Sequence, residues 1–279
     1  MIHAHPLLLV ARQELVLAVR SRWTQIFAIV FAGLALAVAS SGYVLSGGYG
    51  VQDFARTGAS LVQLVLLLVP LTSLLIGVLS LAPDRGAAEL LFSQPLSRRT
   101  ILLGKLLGLF EALVASQALG FGAAGLVIFS QSGNEGLGGF LLVFASSAVL
   151  TAIFLGLAAL LGATAIGRRR TRALALALVV WFVAVVLFDV AALGLASLLP
   201  SGPASRVLIV AVLVNPVDAV RTAALLGIEG AAAFGAASLA FLRFTKGPLG
   251  AATLLGLSLL LWMTIPAIAA VARLRRTDV

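Results

Sequence analysis

The sequence predicts an all-α protein that crosses a lipid bilayer six times, and three observations carry that reading. Only 10% of its 279 residues are charged and 61% are hydrophobic, whereas about a quarter of an ordinary soluble domain is charged. Apolar runs of helical length recur along the chain, each long enough to cross about 30 Å of hydrocarbon. The basic residues gather at the ends of those runs, where membrane topology and anionic headgroups account for them. The net charge of +9 would otherwise suggest nucleic acid. No aromatics interleave with the basic residues on a solvated stretch, so that class is set aside.

The runs fall near 24–46, 59–82, 104–130, 139–166, 173–199 and 247–270, and no soluble segment between them could build a core of its own. Residues 1–279 therefore read as a single transmembrane domain. Ahead of the first span, Leu8, Leu9, Leu15, Val16 and Val19 recur near helical spacing among Arg12, Gln13 and Arg20. That is the pattern of an amphipathic helix on a leaflet. Ala37-Val38-Ala39 resembles a cleavage site, but the long patterned region before the span favours an uncleaved start. Fourteen of the 19 lysines and arginines fall in the N-terminal tail, the second and fourth connections and the C-terminal tail. Lysine and arginine concentrate in cytoplasmic connections, so both termini are expected in the cytoplasm, with the spans in the cytoplasmic (inner) membrane.

The segment 200–246 is harder to place. Val207–Val214 is too short to cross, and Asn215-Pro216 interrupts it. Ala223–Leu242 is long enough but carries Glu229, and one added span would carry the basic C-terminal tail outside. Eight spans would keep the parity. Six spans are expected, with short helices of 200–246 dipping into or lying on the outer leaflet.

Several chemistries are excluded. There is no cysteine, which removes disulfides, thiolate catalysis and Cys-ligated metals. The only histidines are His3 and His5, so no Ser-His, His-metal or proton-relay constellation sits in the membrane. A copper site on the terminal amine and His3 is read as chance. No Gly-x-x-x-x-Gly-Lys-Ser/Thr phosphate loop exists, and Thr245-Lys246-Gly247 is not one. No intramembrane carboxylate pair marks an aspartyl protease. The chain is expected to be no enzyme and to hold no metal.

Two ionisable residues lie inside apolar runs. Asp189, in the fifth, is too costly to leave unpaired in hydrocarbon. It either lines a substrate path or makes an interhelical hydrogen bond near the outer end. Glu111, in the third, either shares such a path or snorkels and pairs with a loop arginine. Gly104-x-x-x-Gly108, and Gly156 with Gly162, permit close helix approach. Pro70 and Pro266 sit within spans and are expected to kink them.

The most informative stretch runs from Asp84 to Arg99. Residues 85–94 can form a short amphipathic helix that Pro95 ends, and Ser97 is placed to cap the helix that follows. The adjacent apolar Leu90, Leu91 and Phe92 call for a partner or a bilayer surface. Glu89-Leu90-Leu91-Phe92-Ser93-Gln94-Pro95-Leu96-Ser97-Arg98-Arg99, followed by Leu103-Gly104-Lys105, resembles the first cytoplasmic loop of ABC-2-type transporter permeases. The span layout, the N-terminal helix and the long outer segment extend the resemblance over essentially the whole chain.

Within that family, Gln52-Asp53-Phe54-Ala55-Arg56-Thr57, Trp181-Phe182, Phe188-Asp189 and Asn215-Pro216-Val217-Asp218-Ala219-Val220-Arg221 look most like NosY-like permeases of nitrous oxide reductase maturation. The resemblance implies a coupling helix, with Glu89, Leu90, Leu91, Phe92, Pro95 and Leu96 seated on a separate ATPase subunit. That subunit would bind ATP and Mg2+, leaving this chain without a cofactor. The resemblance further implies a homodimer in contact with membrane lipid, and export of a sulfur species for copper-site assembly. A periplasmic NosD-like partner would be held by 200–246. The alternatives are an ABC-2 exporter of a lipid, glycan, drug or ion, a stand-alone ion-coupled carrier or channel using Asp189 and Glu111, and an ATP-independent scaffold.

Overall fold

The computed structural model describes residues 6–45, 51–81, 96–132, 136–163, 170–230 and 241–276. All regular structure among them is helical: α1 Pro6–Arg20, α2 Arg22–Leu45, α3 Val51–Leu81, α4 Arg98–Ser132, α5 Leu137–Gly162 and α6 Arg170–Phe182. A π-helical turn, Val183–Leu187, joins α6 to α7 Phe188–Ser197. After it come α8 Ser201–Val214, α9 Pro216–Glu229 and α10 Pro248–Arg276. Six spans are long and apolar enough to cross a membrane: α2, α3, α4, α5, the α6–α7 rod and α10. The protein is an all-α polytopic membrane protein.

Half of the span window is buried in each of α3, α4 and α5, but only 11% in α6–α7, 22% in α10 and 28% in α2. The first three therefore form the core, and the others face outward. Leu126 at 78% exposure and Ile29 at 72% show the outer surface to be apolar, which suits lipid as solvent. Lipid tails are as apolar as leucine, so close packing rather than water exclusion has to hold such helices together. Small residues make the approach possible: a Cβ on Gly120 would meet Phe31 Cδ1 at 2.5 Å, and one on Gly77 would meet Ala158 Cβ at 2.7 Å. Phe121 makes tilted or edge contacts with Phe31, Phe140 and Phe144 at 5.4–5.6 Å, joining α2, α4 and α5. Gln117 Nε2 donates to Thr151 Oγ1 at 2.8 Å across the buried α4–α5 seam.

The helix starts carry local signals. Ser97 caps α4, its Oγ accepting from Thr100 N at 3.1 Å. Gly136, at φ 82°, opens α5 in the left-handed region and lies against the Phe54 ring, where any Cβ would collide at 2.3 Å. Helix α3 begins eight residues ahead of the span expected from hydropathy, taking Gln52 to Thr57 into its first turns. Pro70 and Pro266 both lie inside helices.

The segment after the fifth span is a re-entrant hairpin. Asn215 adopts an extended conformation (φ −101°, ψ 119°) between α8 and α9, which meet at 101°. Each arm has 14 residues, about 21 Å of helix and too short to cross alone. Asn215 Nδ2 donates to the Ala184 carbonyl at 2.8 Å, a point about 21 Å along the rod from Arg170. The hairpin tip thus reaches the middle of the bundle. The far end of α9 returns to the end of the bundle where α3 begins, with Ile228 against Gly58 and Leu142 against Gly227. Gly230, at φ 66°, then breaks the helix, so Ala223–Leu242 is not one continuous rod.

Candidate functional site

The expected coupling residues Glu89, Leu90, Leu91, Phe92 and Pro95 lie outside the described residues, as do Arg168, Arg169, His3 and His5. Leu96 is half-buried in the bend that leads into α4. The structure does fix what flanks the loop: α3 ends at Leu81 and α4 starts at Arg98. Both ends are tied to neighbours. Arg98 Nη1 donates to the Leu274 carbonyl at 3.1 Å, near the C-terminus of α10, where a cation offsets the helix dipole.

At this basic end α1 lies along α4 over Gly104 and Gly108. A Cβ on Gly108 would stand 2.3 Å from the Ala11 carbonyl oxygen, and one on Gly104 2.7 Å from Val10 Cβ. Glu14, only 5% exposed, points into the bundle from α1. It accepts from Ser80 Oγ of α3 and pairs with Lys105 Nζ of α4 at 3.4 Å. Lys105 also donates to the Ser80 carbonyl at 3.0 Å, serving the last turn of α3. One ion pair therefore joins three helices.

At the other site, Asp189 faces the hairpin. Arg221 Nη1 donates to Asp189 Oδ2 at 2.7 Å and to Asp218 Oδ1 at 2.8 Å. Asn215 Nδ2 donates to Asp218 Oδ2 at 3.0 Å, while Asn215 Oδ1 accepts from Val217 N at 3.1 Å as the N-cap of α9. Asn215 Nδ2 also serves the carbonyl of Ala184 within the π turn, where helical hydrogen bonding is displaced. The hairpin is thus latched onto the fifth span by a guanidinium between two carboxylates and by one amide. Beside the latch lies an apolar cavity of about 320 Å³, bounded by Phe154, Val183, Phe188, Pro216 and Trp262. Trp181 Nε1 donates to the Leu67 carbonyl at 3.0 Å, fixing the same span to α3.

Glu111 is not brought to this site. It is exposed on α4 and bonds to no described residue. Glu14, Lys105, Asp218 and Arg221 were given no role from sequence. Asp218 and Arg221 share one face of α9 by their i,i+3 spacing, a signal that was available. Among the described residues no cluster of three metal-ligating side chains occurs.

An outward-facing apolar bundle, a sharply bent helix pair latched onto the fifth span and ionic ties at both ends define a multi-pass membrane protein. The match to the family described as ABC-2 family transporter protein runs over residues 8–279, and the chain belongs to that family. Membership implies an ATP-hydrolysing partner subunit. Similar curated proteins include the probable ABC transporter permease protein NosY of Stutzerimonas stutzeri, 34% identical over 96% of this chain and 97% of its own length. Its namesake in Pseudomonas aeruginosa is 35% identical over 83% of this chain and 86% of its own length.

Proposed function

We propose that this chain is a NosY-like permease that works as a homodimer in the cytoplasmic membrane, both termini inside, with two ATPase subunits docked at residues 84–99. The observation that supports this best is the 34% identity to a NosY permease, which spans 97% of that protein. In this reading ATP-driven closure of the partner displaces the 84–99 loop. The loop is continuous with α3 and α4, and Glu14, Lys105, Ser80 and Arg98 bind α1 and α10 to the same ends. Helix α3 has 31 residues, about 46 Å. It therefore runs from the loop to Phe54 and Gly58 beneath the hairpin. A push at one end reaches the Asp189–Arg221 latch through α3 and Trp181, switching the bundle between two arrangements. The cargo is a sulfur species delivered outward for copper-site assembly, and the 200–246 segment holds a periplasmic NosD-like partner.

Replacing Leu91 and Phe92 by Asp is expected to abolish co-purification of the ATPase subunit. Retention of an intact complex would remove the coupling role. Reconstituted vesicles containing the ATPase are expected to accumulate sulfide or persulfide only with ATP, and a glycan, lipid or drug preference would replace the cargo reading. The ion-coupled carrier draws no support from the geometry: Asp189 is committed to Arg221, and Glu111 stands apart from it. Flux driven by an ion gradient through this chain alone would restore that alternative.

A further inference from the structure

The fifth span, α5, α10 and the Asn215-Pro216 break enclose the open cavity of about 320 Å³ that adjoins the latch. Three features set it apart from a packing gap. First, it lies at the centre of the hydrocarbon. Val179 to Phe188 of its lining occupy the middle of the Arg170–Ser197 span, and Trp262 the middle of Pro248–Leu274. A crossing helix holds its middle residues farthest from both headgroup layers. Second, its walls offer little to a polar guest. No charged side chain is among the described residues that line it. The Asn215 amide is spent, Nδ2 on the Ala184 carbonyl and Asp218 and Oδ1 on Val217 N, which leaves at most the Trp262 indole. Third, it is roomy and opens outward. Val179 and Val183 of its lining are 56% and 41% exposed, and its volume of about 320 Å³ is about twice the roughly 150 Å³ that admits a benzene ring. Apolar cavities stay dry, and atoms that face a void forfeit their dispersion contacts.

We infer that this cavity takes the end of a lipid acyl chain, inserted between the fifth and sixth spans past Val179 and Val183 to Phe154 and Trp262. Chain ends are what a bilayer supplies at this depth, and they match walls that bond to nothing. The guest gains packing contacts rather than escape from water, because the surrounding lipid is equally apolar. The wall it touches includes the π turn at Val183–Leu187 and Pro216, two places where helical hydrogen bonding is interrupted. A seated chain props them apart, and its withdrawal lets them close. Neither the ATPase contact at 84–99 nor the cargo enters this inference, so its test fails independently of theirs.

The test reads Trp262 fluorescence in the delipidated full-length chain in detergent. The chain has three tryptophans, so Trp23→Phe with Trp181→Phe isolates the one in the cavity. If that variant folds poorly, the difference between the parent and Trp262→Phe reports the same indole. The probes are phosphatidylcholine brominated towards the end of one acyl chain, the same lipid brominated beside its ester, and unbrominated lipid. The expected result is quenching by the first alone that saturates near one lipid per chain. Val183→Phe, which fills the mouth, should abolish the saturable part. Val190→Phe, 63% exposed on the same span but outside the lining, should leave it intact. Quenching that only rises in proportion to brominated lipid, alike in both variants, would reduce the contact to passing lipid and overturn the proposal. So would equal quenching from the ester position, or none at all because a second copy of the chain covers the mouth.

Discussion

The two ends of the bundle solve one problem differently. Each must fasten an element outside the spans, α1 at the basic end and the α8–α9 hairpin at the other, and each uses an ion pair. At the basic end the pair is nearly dry, with side-chain exposures of 19% for Lys105 and 7% for Glu14. The backbones there touch over Gly104 and Gly108. At the hairpin, Arg221 and Asp189 are 24% and 28% exposed, and one guanidinium serves two carboxylates. Arg221 Nε is buried without a partner, a π turn lies alongside, and an open cavity adjoins. The first fastening suits a joint that transmits force as a unit. The second suits one that rearranges, since bistable contacts rather than rigid ones carry conformational switching.

Removing the cation of the dry pair should have the largest effect. Lys105→Met leaves Glu14 buried beside Ser80 with no counter-charge, and loss of one member of a buried pair costs about 3–5 kcal/mol. A large drop in the thermal midpoint in detergent is expected, largely restored when Glu14→Gln is added. If the double variant stays as unstable as the single one, the pair is not what holds α1. Next comes Gly108→Ala, whose methyl would press on the Ala11 carbonyl oxygen and Leu15 N. Overpacking of this kind costs about 1–3 kcal/mol, and hydrogen exchange across residues 6–20 should rise. Gly122→Ala, with nothing within 4 Å of its Cβ, serves as the control and should change neither.

How much of this was legible in the sequence differs between the two ends. Span number follows from apolar runs, because a bilayer leaves a helix few alternatives to satisfying its own backbone. Helix α3 extends ahead of its apolar run, and that extension is hard to read because Gln52, Asp53 and Arg56 look like loop residues by hydropathy. The hairpin's break at Asn215-Pro216 was visible, since proline cannot continue a helix and asparagine caps the next one. Its depth was not visible, because it depends on which carbonyl Asn215 reaches 31 residues away. Glu14 was overlooked among Arg12, Gln13 and Arg20 for a similar reason. On an amphipathic helix a charge reads as facing water, and only the partners on α3 and α4 reveal that this one faces inward.

Asn215→Ala should sharpen the contrast. It removes the N-cap of α9 together with the bonds to Ala184 and Asp218, losses together of about 1–2 kcal/mol. If the hairpin latch is the moving joint, transport per ATP hydrolysed should change severalfold while the thermal midpoint falls only modestly. The reverse pattern, a large loss of stability with coupling intact, would make the hairpin a passive brace.

Ser258→Ala should be the mildest change and the most diagnostic of how the tip is held. Ser258 Oγ donates to the Leu213 carbonyl at 2.7 Å, an orphan acceptor at the end of α8. A single interhelical bond of this kind in a membrane is worth about 0.6 kcal/mol. Residues 213 and 215 straddle the break, so Ser258 and Asn215 grip the tip from α10 and from the fifth span respectively. Two independent grips predict additive losses in the double variant, whereas a tip that seats or lifts as a unit predicts a loss smaller than the sum, because either single change already releases both. The hinge reading requires the second outcome, because a joint that switches as a whole has to release both attachments together.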